Sequence, residues 1–129
     1  MASESVNQQQ ARLIMARLHC QIWRNNSGAC TDDTGRLIRY GLGNDSAQLN
    51  KKIKSSDLIG ITPTLITAEM VGYHLGVFTA LEVKPSGWTL KPSDERGHAQ
   101  AKFHEIVQQA CGFAGFVTDP IDVYRIIRR

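Results

Sequence analysis

Cysteine is scarce in this chain: Cys20, Cys30 and Cys111 make an odd number with no Cys-x-x-Cys spacing. That excludes a disulfide framework and leaves no thiolate set for a structural zinc, so a reducing compartment is the expected setting. Long apolar runs are also missing. None approaches the roughly 18 residues of a membrane-spanning helix, and Met1-Ala2-Ser3-Glu4-Ser5 has neither the basic nor the apolar stretch of a secretory leader. The expectation is a cytoplasmic protein with no membrane partner. Neither sign of charge dominates: fifteen Lys and Arg against twelve Asp and Glu give +3, a bias that permits a polyanionic partner without demanding one. With 42% hydrophobic and 21% charged residues in 129, the composition excludes disordered and fibrous classes and fits one globular domain over residues 1–129.

Periodicity supplies the organisation. Residues 3–19 read as a helix with Ser3 as N-cap and Leu13, Ile14, Ala16 and Leu18 on one stripe. Gln21-Ile22-Trp23-Arg24 reads as a short strand before the turn Asn25-Asn26-Ser27-Gly28, and Arg36-Leu37-Ile38-Arg39-Tyr40 alternates like another strand between breaks at residues 31–35 and 43–46. The next strands are residues 57–61, continuing to 65–67 around Pro63, and their neighbour, residues 76–84, which Pro85 ends. A loop over residues 85–96 has the length of a mobile flap. Residues 98–111 form an amphipathic helix with Phe103, Ile106, Val107 and Ala110 inward, stopped by Gly112. A strand at 113–117 and a helix from Pro120, capped by Asp119, close the chain. The order α-β-β-β-β-α-β-α predicts an α/β fold: a mixed central β-sheet flanked by helices.

Polar chemistry gathers at the ends of the two central apolar segments. Side chains alternate along a strand, so Glu82 and Lys84 in Leu81-Glu82-Val83-Lys84 emerge on the same side, carboxylate beside ammonium. A same-face ion pair on a solvated sheet edge is the commoner setting for such a triplet. Here Leu81 and Val83 on the other face, after an apolar run, predict a central strand in which a charge pair needs a reason. Asp57, following Ser55-Ser56, reads alone as a turn cap. Together with Glu82 it makes an oxygen cage suited to one or two hard divalent cations, with Lys84 poised to touch a water or a phosphate oxygen. Metal-dependent phosphodiester cleavage is the chemistry indicated.

Five pieces in order carry a family likeness: Arg24-Asn25-Asn26-Ser27-Gly28-Ala29, Arg39-Tyr40-Gly41-Leu42, Ser56-Asp57-Leu58-Ile59-Gly60, Ala80-Leu81-Glu82-Val83-Lys84, and Gln100 opening the helix that ends in Cys111-Gly112-Phe113-Ala114-Gly115. The chain resembles the VRR-NUC domain, a branch of the PD-(D/E)XK nucleases, and more closely its stand-alone phage and prophage members. The likeness implies that Asp57, Glu82 and the carbonyl of Val83 hold Mg²⁺ or Mn²⁺. It further implies that Lys84 is the catalytic lysine, that Gln100 positions water or phosphate, and that Glu4 stands for the acidic residue of the first helix. Ser56 stands where the superfamily name has proline. Also implied is an endodeoxyribonuclease for structured DNA, four-way (Holliday) junctions foremost, working as a homodimer because a symmetric cut needs two sites. A flap, nicked or single-strand nuclease and an inactive DNA-binding module are the alternatives.

Lys51, Lys52 and Lys54, just ahead of Asp57, read as a solvated basic face or as phosphate contacts, the second being preferred for their place in the sequence. Asn25, Asn26 and Ser27 suit a loop by themselves and DNA contact by the likeness. Arg125, Arg128 and Arg129 extend the basic patch or serve solubility, and Trp88 either stacks on an unpaired base or packs on the core. Histidines 19, 74, 98 and 104 have no shared ligand spacing, although His98 and His104 flank Gln100.

Overall fold

The computed structural model describes residues 2–127, and helix and strand are mixed along the chain as an α/β composition predicts. The chain forms two units, one running to Gly60 and the other from Ile61.

In the first unit, α1 (Glu4–Arg17) begins at Ser3, whose hydroxyl accepts the Val6 N–H at 3.3 Å. It ends in a Schellman motif: His19 takes the left-handed conformation (φ 61°), its N–H bonding to Ala16 O and that of Cys20 to Met15 O. β1 (Gln21–Arg24) follows and pairs with β4 (Leu58–Ile61). Their approach is close enough that a Cβ on Gly60 would lie 2.0 Å from the Gln21 carbonyl oxygen, so glycine is required there.

β2 (Gly28–Thr31) and β3 (Leu37–Tyr40) form an antiparallel hairpin in register Gly28↔Tyr40 to Thr31↔Leu37. Its turn is organised by Asp32, whose Oδ1 accepts from Thr34 N, Thr34 Oγ1 and Arg36 N, bonds that hold the carboxyl below its ordinary range, with the Thr34 hydroxyl foremost. A buried asparagine ties the hairpin to α2 (Ala47–Lys52). Asn44 Nδ2 donates to the carbonyls of Gly28 (2.8 Å) and Tyr40 (2.9 Å), and its Oδ1 accepts from Asn50 Nδ2 (2.9 Å) and Arg39 Nη1 (3.3 Å). Neither β2 nor α2 was expected from periodicity. Each is too short to show a period, and both are organised by Asn44, which reads locally as nothing more than a turn residue.

In the second unit, β5 (Thr79–Val83) and β6 (Phe113–Val117) run parallel, Glu82 opposite Phe116, and α3 (Glu95–Gln109) supplies the crossover that parallel strands require. On α3, Gln108 Nε2 bonds to Ala114 O at 2.9 Å, and α4 (Asp122–Ile126) lays Ile126 against Gly115. Val107 is fully buried, with Ala110, Ala114 and Val117 around it in the core of this unit. The end of α3 repeats the device of α1. Cys111, rather than the expected Gly112, takes the left-handed position (φ 69°), while Cys111 N–H bonds to Gln108 O and Gly112 N–H to Val107 O.

Three expectations are revised. The described strands hydrogen-bond two by two, so β5 has β6 as its ladder neighbour where the sequence suggested the Asp57 segment. Residues 65–67 form no strand, and a single 3₁₀ turn at Ala68–Met70 follows them. α3 starts at Glu95 because Asp94 caps it, accepting the Gly97 N–H at 2.8 Å, and it turns His104 inward while Phe103 stays 37% exposed. All three cysteines are free thiols, and no described helix is long and apolar enough to cross a membrane.

Asp122 latches α4 to the end of β6. Its Oδ2 accepts from Thr118 N (3.0 Å), Asp119 N (3.1 Å) and Thr118 Oγ1, and Oδ1 pairs with Arg125 Nη2 (2.7 Å). These partners, the Thr118 and Asp119 amides first, hold the carboxyl below its ordinary range. A depressed carboxyl contributes stability above its unfolded value, near 4, and loses it as pH falls through the folded one. Asp122→Asn is therefore expected to lower the urea midpoint at pH 7, with the gap to wild type closing below about pH 4. A gap constant across that range would refute the latch.

Candidate functional site

The polar side of β5 is its covered side. Leu81 and Val83, expected to fill a core, are 41% and 71% exposed, while the Lys84 side chain is only 14% exposed and that of Glu82 is 36% exposed. Alternation holds as expected, but the cover comes from α3 and the loop after β5, which lie on the Glu82 side. Lys84 N–H bonds to Val117 O at 2.9 Å, which carries the ladder one residue past β5 and fixes where the lysine starts. Its Nζ lies 3.8 Å from Glu82 Oε1, 5.1 Å from the Trp88 ring centroid and 5.9 Å from that of Phe116. The ammonium thus sits between a carboxylate and two aromatic faces, both within cation–π range.

Trp88 reaches that place through a tight turn. Trp88 N–H bonds to Pro85 O at 3.1 Å, with Gly87 at φ +78° in the position where a type II turn demands a positive value. The indole then packs on Phe116 with centroids 4.7 Å apart. Of the two roles open to Trp88, packing is the one observed, and the loop expected to be a mobile flap is tethered at this point.

α3 brings up the rest. Gln100 and His104, four residues apart, share the helix face turned to Glu82. A cavity of about 340 Å³ is lined by Glu82, Arg96, Ala99, Gln100, Phe103 and His104. Within the second unit the structure therefore joins three predicted residues: Glu82 and Lys84 by contact, Glu82 and Gln100 through the cavity. The Gln100 Oε1 atom is buried and has no hydrogen-bond partner among the described residues. An orphaned amide oxygen costs on the order of 1–3 kcal/mol unless something fills its lone pairs. His104 is 7% exposed and stands edge-on to Phe116 at 4.7 Å. Burial pushes its pKa down and the Glu82 charge pulls it partly back, so the imidazole is neutral at pH 7.

A carboxylate and an unpartnered amide oxygen are hard donors of the kind Mg²⁺ and Mn²⁺ accept, and magnesium typically keeps several waters besides one or two carboxylates. This cavity offers one such carboxylate and one such amide oxygen, and no group of three His, Cys, Asp or Glu side chains is clustered for a metal among the described residues.

Val83 is exposed on β5, and most of the remaining predicted residues lie in the first unit. Asp57 is exposed at the head of β4, and its carbonyl accepts the Asn25 N–H at 2.8 Å. Asn25 is a bracket. Its Nδ2 donates to Ser55 Oγ (2.8 Å) and Ser56 O (2.9 Å), and its Oδ1 accepts Leu42 N–H (3.3 Å), so its amide is committed to holding the segment that presents Asp57. Asn26 and Ser27 are exposed. Lys51 and Lys52 are exposed in the last turn of α2, while Lys54 bonds back to the Asn50 carbonyl (3.0 Å) and side chain. Glu4 is exposed at the first position of α1. In the second unit, Arg125 pairs with Asp122; Arg128 and Arg129 lie outside the described residues.

Sequence reasoning missed Arg96 as a lining residue, left His104 a minor candidate, and did not foresee the Trp88–Phe116 cradle. The signal for His104 was present in its i+4 spacing from Gln100; Phe116 on β6 carries no local signal. Compared with protein-family models, curated proteins and solved structures, the chain matches none.

The bracket role of Asn25 gives a measurable expectation. Asn25→Ala should cost about 1–2 kcal/mol in urea unfolding, and exchange at the Leu42 amide should speed up. Unchanged stability together with unchanged exchange would contradict it.

Proposed function

We propose that this protein is a Mg²⁺- or Mn²⁺-dependent endodeoxyribonuclease of the VRR-NUC type within the PD-(D/E)XK superfamily, acting on branched DNA. The observation that carries this is the buried, unpartnered Gln100 oxygen on the same cavity as Glu82, with Lys84 held beside that carboxylate by Trp88 and Phe116. The order strand, Glu-x-Lys, helix with Gln, strand is realised in β5–α3–β6, which supports the family assignment.

Glu82 and the Gln100 amide oxygen would hold the cation, with Val83 O as a further donor. When bound, the ion offsets the negative charge of the scissile phosphate and eases deprotonation of water in the site. Lys84, restrained on three sides, directs its ammonium at the charge that develops on the phosphoryl oxygens and orients the attacking water. Gln100 does not titrate, so its part is positional. His104, neutral and buried, walls the cavity against bulk water. Lys51 and Lys52, exposed in the last turn of α2, are left to meet phosphates.

A four-way junction is the preferred substrate, and its symmetric cleavage calls for two copies. Leu13 and Ile14 on α1 and Leu18 at its C-cap, 49%, 53% and 64% exposed, offer the apolar face for the second copy.

Incubation with a synthetic four-way junction, a flap and a linear duplex, each with Mg²⁺, Mn²⁺ or EDTA, tests the assignment. Cleavage of the junction is expected with either metal and not with EDTA. Glu82→Gln should reduce it at least about 10³-fold and Lys84→Met about 10²–10³-fold. Full activity of Glu82→Gln would refute the site, a preference for the flap would replace the junction, and no cleavage of any DNA would leave a binding module.

A further inference from the structure

A second feature lies in the first unit, on the β2–β3 hairpin. Antiparallel pairing sets Gly28 opposite Tyr40, and the tyrosine ring lies over the glycine: a Cβ built on Gly28 would sit 2.6 Å from the Tyr40 hydroxyl oxygen and 2.9 Å from Cζ. With glycine there, the ring is laid along the strand, where any larger residue would prop it up. It remains 48% exposed. Alternation puts Ile38 and Arg36 on the same side of β3 as Tyr40. These residues line a groove of about 760 Å³ that also takes in Leu37, Arg39 and Asn44.

The surroundings are mixed in charge with a basic excess toward α2. The hairpin carries Arg36 and Arg39 with Asp32 and Asp33 in its turn, and the segment up to residue 54 adds Lys51, Lys52 and Lys54 against Asp45. A protein-binding groove of this size needs a deep apolar floor; here the lining mixes Leu37, Ile38 and Tyr40 with Arg36, Arg39 and Asp45. A flat exposed ring flanked by cationic side chains at strand spacing is what an unpaired base and its phosphates require: the ring stacks any base, and the cations follow the backbone. A B-form duplex buries its base faces, so the plate would go unused on it.

We propose that the β2–β3 hairpin is a binding surface for single-stranded DNA, with Tyr40 the stacking platform for one unpaired base and Arg36 a phosphate contact. The choice of DNA over RNA rests on the nuclease assignment; the hairpin would engage the unstacked bases where branched DNA opens. The binding itself needs neither metal nor cleavage.

Fluorescence anisotropy with a labelled 20-nucleotide mixed-sequence single strand, in EDTA so that cleavage plays no part, isolates this surface. The expected results are tighter binding of the single strand than of the matching duplex or RNA, and about tenfold loss with Tyr40→Leu, which still covers Gly28. Tyr40→Phe should bind like wild type, and Arg36→Ala should weaken binding with a shallower salt dependence, the slope falling by about 0.7. Urea unfolding of each variant confirms that it is folded. A Tyr40→Leu protein that is folded and binds undiminished would overturn the platform, as would a duplex bound as tightly as the single strand. Equal binding of RNA would overturn the choice of DNA, and equal competition by heparin would reduce the surface to nonspecific charge. Because Glu82→Gln leaves this surface intact, loss of cleavage with retained binding separates failure of the catalytic assignment from failure of this one.

Discussion

The covered face of β5 carries a carboxylate and an ammonium, and most of the second unit follows from accommodating them. Burying either charge alone would be costly, and an exposed pair would contribute little. Lys84 resolves the conflict by keeping Glu82 within 3.8 Å while its ammonium lies over two rings that pack on each other, so desolvation is offset by charge and by quadrupole at once. That requirement accounts for the turn that returns Trp88 to Phe116, and for a helix face that offers Gln100 and His104 where leucine would otherwise pack. A strand built for stability alone would have put Leu81 and Val83 on this side. The arrangement forgoes apolar packing on that face in return for a polar cavity, and the unpartnered Gln100 oxygen is its clearest cost.

The first unit solves a different problem by similar means. Its elements are four to six residues long apart from α1, too short to be stable by propensity or to build much apolar core. Two asparagines take up the task. Asn44 satisfies the backbone of a hairpin and the side chain of a helix from one buried point; Asn25 gathers Leu42, Ser55 and Ser56 around the approach to Asp57. Each carries two donors and an acceptor, the combination a loop junction needs. The ends of α1 and α3, at His19 and Cys111, accept a left-handed non-glycine residue to make the same sharp exit into the next strand.

Much of this was legible. α1, β1, β3, β6 and the Ser3 cap follow from period and capping chemistry, and the Glu82–Lys84 pairing follows from strand alternation alone. What stayed hidden involves partners distant in sequence. Which face of β5 is covered depends on Phe116 and Trp88, thirty-four and six residues beyond Glu82, and apolar alternation on one strand says only that the faces differ. Asn44 looks like any turn asparagine until its four partners are in place. The helix face of α3 was misjudged by one position because Phe103 outranks His104 in hydrophobicity, whereas a neutral histidine edge-on to Phe116 and beside Glu82 suits the interior better.

Manganese titration of uniformly ¹⁵N-labelled protein, followed by NMR, tests the proposed cation site without relying on any substrate. Mn²⁺ broadens signals steeply with proximity, so the Gln100 side-chain amide and the backbone amides of Glu82 and Val83 should be lost first, at substoichiometric metal, and should be retained in Glu82→Gln at the same concentration. Broadening that begins elsewhere on the chain and is indifferent to that substitution would contradict the site on which the account stands.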